Sequence, residues 1–298
     1  METKSKRNIF FVVNPKAGTN AREDYLSIIS EASEKYDFQY KIYETRGEDD
    51  DREILNYIKE YTPETVVAVG GDGTVNLVAR ELAGTGINLG IVPAGSANGL
   101  AYNLDIPGNI REAIDIIMKA PAEPLDVISI NEKYYCLHLS DVGINARIVK
   151  RFEEEGSKGL FGYGKQLFKE LLEGKTSFSL IIKLPGMRPK KLKAEMLVIA
   201  NAKRYGTSAI INPGGEYNDG RFEIIVIKPY PWWFVFNLLY AFLTGRLDKM
   251  KYIRVFSVSE AFVNLMKPQE FQIDGEIVPE VSSLKIQIMP EALRVLGA

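Results

Sequence analysis

The densest chemistry in the chain lies at residues 66–78, where an apolar run, Val-Val-Ala-Val, enters Gly70, Gly71, Asp72, Gly73 and Thr74, followed by Val-Asn76-Leu-Val. Glycines let a backbone come close to an anion, and a helix starting there aims its first N–H groups, and the positive end of its dipole, at it. Such strand-to-helix loops cradle polyphosphates. Asp72 is out of place in a pure anion site, because a bare carboxylate repels phosphate. It therefore implies a bridging Mg²⁺ or a proton to be moved. A tight turn capped by Asp72 accounts for one glycine and the aspartate, but not for all five residues.

Further loops carry chemical content. Asn14-Pro-Lys-Ala-Gly18 follows a β-rich run and can grip a nucleotide phosphate. Pro93-Ala-Gly-Ser96-Ala-Asn98 offers a hydroxyl and an amide to a phosphate or ribose. Taken singly, each also reads as a turn. In the second half, Asn218-Asp219-Gly220 and Gln272-Ile-Asp274-Gly-Glu276 each hold an Asp-Gly pair, the signature of a hairpin turn. Asp274 and Glu276 flank one glycine and could supply a general base. Spacing leaves turn and base both open.

These loops need strands and helices to hold them. Residues 8–13, 38–43, 65–69 and 88–92 read as strands, and 21–36, 49–61 and 75–82 as helices between them. Continuous apolar strands alternating with helices predict a parallel sheet covered on both faces, with ligand loops at the strands' carboxyl ends. From about residue 121 the texture changes to short strands at 125–130, 134–139, 178–184, 191–200, 222–227, 252–258, 261–265, 270–273 and 284–288, with helices near 158–172 and 231–244. Several alternate apolar with polar residues, as sandwich strands do. The expected division is an α/β nucleotide-binding domain over 1–123 and a β-rich domain over 124–298, whose last residues can return to the first.

Composition narrows the function. In 298 residues, 37 basic and 39 acidic side chains leave a net charge of −2, so no general attraction to nucleic acid is expected. One cysteine, Cys136, and one histidine, His138, exclude disulfide frameworks, structural zinc and Cys/His catalysis. Both fall in an apolar stretch, read as a core thiol and a hydrogen-bonded imidazole. The polar start is expected to be neither signal peptide nor anchor. The longest apolar run, 232–243, is shorter than the roughly 20 residues a bilayer requires, and a cytoplasmic setting is expected. Its Trp232 and Trp233 suit either a membrane interface or a packed helix. Arg188, Lys190, Lys191 and Lys193 form a basic turn, read as a hairpin tip or a sensor of anionic headgroups. Lys150, Arg151 and Lys158 read as a solvated helix face.

The set Asn-Pro-x-x-Gly, Gly-Gly-Asp-Gly-Thr-x-Asn, Pro-x-Gly-Ser-x-Asn and a late Asp-Gly-Glu resembles the lipid kinases with a diacylglycerol-kinase catalytic domain, including sphingosine and ceramide kinases. The resemblance covers essentially the whole chain in order. It implies an α/β domain with a parallel sheet, like that of NAD and diacylglycerol kinases, plus a β-sandwich-like C-terminal domain. It implies ATP as co-substrate, its phosphates held by Gly70, Gly71, Asp72, Gly73, Thr74 and Asn76, with Asn14, Thr45 and Ser96 as further nucleotide contacts. It also implies a Mg²⁺ loop with Asp219 and the carbonyls of Glu216 and Arg221, and Glu276 as general base beside the catalytic Asp72. The 93–101 wording is nearer that of sphingosine kinases than the common bacterial form.

The reading is an ATP- and Mg²⁺-dependent lipid kinase, active in a cleft between its domains, whose partners are a lipid substrate and a membrane surface touched peripherally. A homodimer is compatible with it. The alternatives are an NAD-kinase-like small-molecule kinase and a non-catalytic nucleotide-binding protein at the membrane.

Overall fold

Four apolar strands explain the first half of the chain: β1 (Arg7–Val13), β2 (Phe38–Glu44), β3 (Thr65–Gly70) and β4 (Asn88–Pro93). They pair in parallel in the order β2-β1-β3-β4. Ile9 to Val13 and Val66 to Val69 are buried at every position. That follows from helices lying on both faces: α1 (Ala21–Tyr36), α2 (Asp50–Tyr61), α3 (Asp72–Leu82), the short α4 (Gly99–Asn103) and α5 (Ile110–Lys119). In this computed structural model the described residues are 6–17, 21–96, 98–143, 177–205 and 209–297. The expected helix at 158–172 and the bases Lys150, Arg151 and Lys158 lie outside them.

Helix α5 has no counterpart among the sequence expectations. Its start is set by Asn109, whose side-chain oxygen accepts the N–H groups of Arg111 (2.9 Å) and Glu112 (3.2 Å). Ala113, Ile114 and Ile117 make the buried stripe. Helix α3 begins at Asp72 rather than at residue 75, so the glycine-rich loop is only Gly71 wide between strand and helix.

The chain divides into two compact units, Met1–Leu125 with Glu291–Ala298, and Asp126–Pro290. Strand β5 (Ala122–Ile130) runs from the first into the second. The second unit continues with β6 (Tyr134–Cys136), β7 (Leu139–Gly143), β8 (Phe178–Lys183), β9 (Lys190–Ala194), β10 (Met196–Ala200), β11 (Arg204–Tyr205), β12 (Ala209–Ile210), β13 (Phe222–Ile227), α6 (Phe234–Thr244), β14 (Ile253–Val258), β15 (Glu260–Ile273) and β16 (Glu276–Leu296).

Strands β14, β13, β10 and β7 form one antiparallel layer. Strand β15 joins two layers: Phe262 to Leu265 pair with β8, and Phe271 to Ile273 with β7, after irregularities around Gln269. A bulged strand that changes partners turns the corner of a sandwich. The core between the layers holds Val142, Leu180, Leu197, Ile224, Phe271 and Leu284. On its other face the β13 layer meets α6, through Val198, Ile225, Phe234, Val235 and Leu238. Strand β13, Phe-Glu-Ile-Ile-Val-Ile, is thus covered on both faces, which is why every residue but Glu223 is apolar, and buried Glu223 accepts from the Asn212 amide. The end of β16 belongs to the first unit, where Arg294 to Leu296 pair in parallel with β4. No helix among the described residues is long and apolar enough to cross a membrane.

Candidate active site

At the carboxyl edge of the parallel sheet, each loop is tied to its neighbour's strand end. Thr45 N–H donates to Val13 O (2.8 Å), Asn14 N–H to Val69 O (2.9 Å) and Ala94 N–H to Gly70 O (2.8 Å). Those three bonds gather Asn14, Thr45, Gly70 to Thr74 and the 94–98 loop on one edge, where open α/β sheets bind ligands.

Glycine is required at the centre. A Cβ on Gly95 would lie 2.5 Å from the Cα of Gly71, and one on Gly71 would lie 3.2 Å from the Cα of Gly95. The two backbones therefore pack with no side chain between them. Gly70 has a separate reason, since its Cβ would meet Thr74 Oγ1 at 2.3 Å. Thr74 is buried over that strand end, and Gly73 and Asn76 are half-buried on the first turns of α3. Val75 N–H donates to Gly71 O at 3.1 Å. The N–H groups before it are those a helix start leaves for a ligand or solvent.

Asp72, first residue of α3, accepts Gly99 N–H through Oδ2 (3.0 Å) and Leu100 N–H through Oδ1 (3.3 Å). It thus caps α4 from another helix and fixes the 94–98 loop against the glycine turn. Asn98, at φ 51°, uses both ends of its amide on Gly95: Oδ1 accepts Gly95 N–H and Nδ2 donates to Gly95 O, each at 2.8 Å. Its amide shapes the loop, whereas the sequence reading offered it to a phosphate or ribose. Ser96 stands exposed beside it. Asn14 also folds its own loop, its Oδ1 accepting Lys16 N–H at 3.0 Å.

Asp50 is a residue the sequence reading passed over. Buried at the start of α2, it accepts Tyr43 O–H (2.7 Å) and the N–H groups of Arg46 and Gly47 (both 2.8 Å). Burial pushes its carboxyl up, but the N–H of Arg46, the Tyr43 hydroxyl and the N–H of Gly47 outweigh this and hold it below the usual range. It is a knot that sets the turn carrying Thr45.

In the second unit the Asp219 loop is held by Asp126, which is fully buried. Asp126 N–H donates to Tyr217 O (2.6 Å) and its Oδ2 accepts Gly220 N–H (2.7 Å), where Gly220 has φ 71°. The signal was present as a carboxylate inside Leu-Asp126-Val-Ile, since a charge in an apolar strand needs a partner. Asp219 is exposed, its Oδ1 accepting Arg221 N–H at 2.9 Å, and Glu216 is exposed too. Arg221 turns its guanidinium to Ser257, donating to Oγ (2.9 Å) and to the carbonyl oxygen. No group of three or more His, Cys, Asp or Glu side chains gathers among the described residues. A carboxylate and backbone carbonyls are hard oxygen donors, a set that suits Mg²⁺ better than a softer metal.

Asp274 and Glu276 do not act as a pair. Asp274 (φ 50°) and Gly275 (φ 92°) make the two-residue turn between β15 and β16, the left-handed geometry that Asp-Gly favours. Asp274 is buried and accepts the N–H groups of Leu137 (2.8 Å), His138 (3.1 Å) and Leu139 (3.0 Å), with His138 Nδ1 at 2.8 Å. Glu276, the first residue of β16, is exposed. Burial pushes the Asp274 carboxyl up, but His138 and these N–H groups prevail and hold it low. The Cys136 thiol, fully buried, is driven well up by burial and by Asp274, so it is no nucleophile.

A doubly covered parallel sheet with glycine loops on its carboxyl edge, continued by an antiparallel sandwich, defines a nucleotide-handling α/β class. Known proteins agree with that geometry. The diacylglycerol kinase catalytic domain matches residues 8–130, and the YegS C-terminal NAD kinase beta sandwich-like domain matches residues 141–297. This chain belongs to the diacylglycerol-kinase catalytic-domain family of lipid kinases. A relative from Yersinia enterocolitica, named "Probable lipid kinase YegS-like", is 26% identical over 253 residues, covering 82% of each chain. A crystal structure of a diacylglycerol kinase from Bacillus anthracis has a TM-score of 0.76 at 20% identity, covering 99% of this chain and 98% of its own. Yeast NADH kinase complexed with NADH shares the fold more distantly, with a TM-score of 0.53 at 11% identity, over 97% of this chain and 82% of its own.

Proposed function

We propose that the protein transfers the γ-phosphate of ATP to the hydroxyl of a lipid, of diacylglycerol or sphingoid type. The observation that carries this is the backbone contact between Gly71 and Gly95 beside the start of α3, inside a chain that belongs to a lipid-kinase family. Backbone N–H groups with no side chain in front of them accept a polyphosphate closely. Asn14, Thr45 and Ser96 are assigned to the rest of the nucleotide.

Phosphoryl transfer asks for positioning and charge neutralisation rather than covalent chemistry by the protein. Asp72, through its hold on Gly99 and Leu100, keeps the 94–98 loop in place and sets charge at the phosphates. Glu276 is assigned the proton of the attacking hydroxyl, whose oxygen bonds to the γ-phosphorus as the bond to ADP breaks. Mg²⁺, bound to the nucleotide, would lower the phosphate charge. The Asp219 loop, with the carbonyls of Glu216 and Arg221, is a second place where it would be held.

The test is transfer from γ-labelled ATP to a panel in mixed micelles of diacylglycerol, sphingosine and ceramide, with NAD⁺ as a soluble acceptor. A labelled lipid supports the reading. Label on NAD⁺ alone would replace it with a small-molecule kinase, the reading favoured by the likeness to NADH kinase.

A further inference from the structure

Helix α6 is apolar on both sides. Phe234, Val235, Leu238 and Ala241 are buried against the sheet. The outward side carries Trp232 (60% exposed), Trp233 (51%), Phe236 (57%), Tyr240 (53%) and Leu243 (71%). Trp233, Phe236, Tyr240 and Leu243 are spaced by three and four residues, which puts them in one stripe, and Trp232 stands in the turn that leads into it. Single exposed apolar residues are ordinary, but a contiguous aromatic stripe marks a surface that something covers.

The charge around it identifies what. Over residues 228–251 the bases are Lys228, Arg246, Lys249 and Lys251, and the lone acid is Asp248, in a chain whose net charge is −2. Arg246, Lys249 and Lys251 are exposed, and Lys228 reaches Lys251 O at 3.1 Å. Basic groups beside an aromatic stripe match an anionic bilayer, where indole and phenol rings sit at headgroup depth and lysines meet lipid phosphates. At 11 residues, α6 lies on such a surface and does not span it.

We infer that the outer face of α6, with its flanking bases, is the face by which this protein docks on an anionic lipid bilayer. The inference rests on the lipid-kinase reading for its purpose, while its test reads binding alone.

The chain has two tryptophans, and both are in this stripe or the turn that leads into it. Tryptophan emission therefore reports this face and no other. Vesicles of phosphatidylglycerol and phosphatidylcholine in equal parts should shift the emission to the blue, and acyl-brominated lipid should quench it. Pure phosphatidylcholine should do much less. Phe236→Ser with Leu243→Ser, and separately Lys249→Glu with Lys251→Glu, should each weaken vesicle binding by roughly tenfold or more. Thermal melting checks that the variants fold; if they do not, quenching of the wild type decides alone. Unchanged emission with anionic vesicles overturns the proposal, even if the protein sediments with them. So does a blue shift that grows with protein concentration without lipid, which would give the face to a second copy. Vesicle binding without lipid phosphorylation would leave the docking face standing and remove the kinase reading.

Discussion

Asp72 and Gly99 are joined by a hydrogen bond of 3.0 Å from the Gly99 N–H to Oδ2, while Leu100 N–H reaches Oδ1. The aspartate of the glycine-rich turn is therefore a cap for α4 as well as a charge beside the proposed phosphates. Both the cap reading and the chemical reading of that residue are compatible with one carboxylate, because capping leaves its charge in place.

Asp72→Asn separates the two roles. The amide keeps one acceptor for α4 but has no charge, so stability should fall by only about 1 kcal/mol. Melting should drop by no more than about 4 °C for a protein of this size. Lipid phosphorylation should be lost. Calorimetry and the transfer assay are run on the same sample, and full activity would restrict Asp72 to the cap.

Asp126→Ala should free the 217–220 loop, because it removes the acceptor of Gly220 N–H. If Asp219 binds Mg²⁺, both Asp126→Ala and Asp219→Ala should raise the Mg²⁺ requirement. Asp219 is exposed, so its variant should do this with little change in melting. A Mg²⁺ titration identical to wild type in Asp219→Ala would remove the site.

Asp274 gives the protein an acid limit. Its folded carboxyl lies below the unfolded value of about 3.9. The stability it adds is therefore present above that value and is lost as pH falls through the lower, folded one. Asp274→Asn takes the carboxylate from a buried site built of three N–H groups and the His138 ring, and should cost about 3 kcal/mol at neutral pH. Melting curves taken down to about pH 3 should show a shallower acid decline in the variant than in the wild type. Parallel curves would contradict the assignment.

Elements whose pattern is local were legible in the sequence. Helix α1 and strand β13 run over the residues expected, because amphipathic spacing fixes one and burial on both faces the other. Features set by distant residues were not. The run at 134–139 breaks at Leu137 and His138 because Asp274, more than 130 positions away, takes three consecutive N–H groups there. A strand was expected over 284–288 only, yet β16 runs from Glu276 to Leu296, through Pro279 and Pro290. The glycine loops announced themselves by composition. Asp50, which holds the loop of Thr45, did not, because a buried carboxylate at a helix start is recognised only through the N–H groups it meets; Asp126 showed itself only as a charge inside an apolar run, its partner Gly220 lying 94 positions away.

Glu276→Gln keeps size and hydrogen-bonding reach but cannot accept the substrate's proton. Loss of a placed general base lowers rates by about 10²–10⁴-fold. Steady-state kinetics should show that fall in kcat with the KM for ATP nearly unchanged. Retained kcat with a collapsed affinity for ATP would make Glu276 a nucleotide or metal contact.

The central claim is that ATP phosphates rest on the bare backbone where Gly71 meets Gly95. Gly95→Ala addresses it most directly, because the added methyl would stand 2.5 Å from the Gly71 Cα and must push the loops apart. Gly108→Ala is the control, since nothing lies within 4 Å of its Cβ position. With γ-labelled ATP and micellar lipid, wild type and Gly108→Ala should phosphorylate lipid alike, while a folded Gly95→Ala protein should bind ATP weakly and transfer little or nothing. Wild-type ATP affinity and transfer in Gly95→Ala would contradict the account.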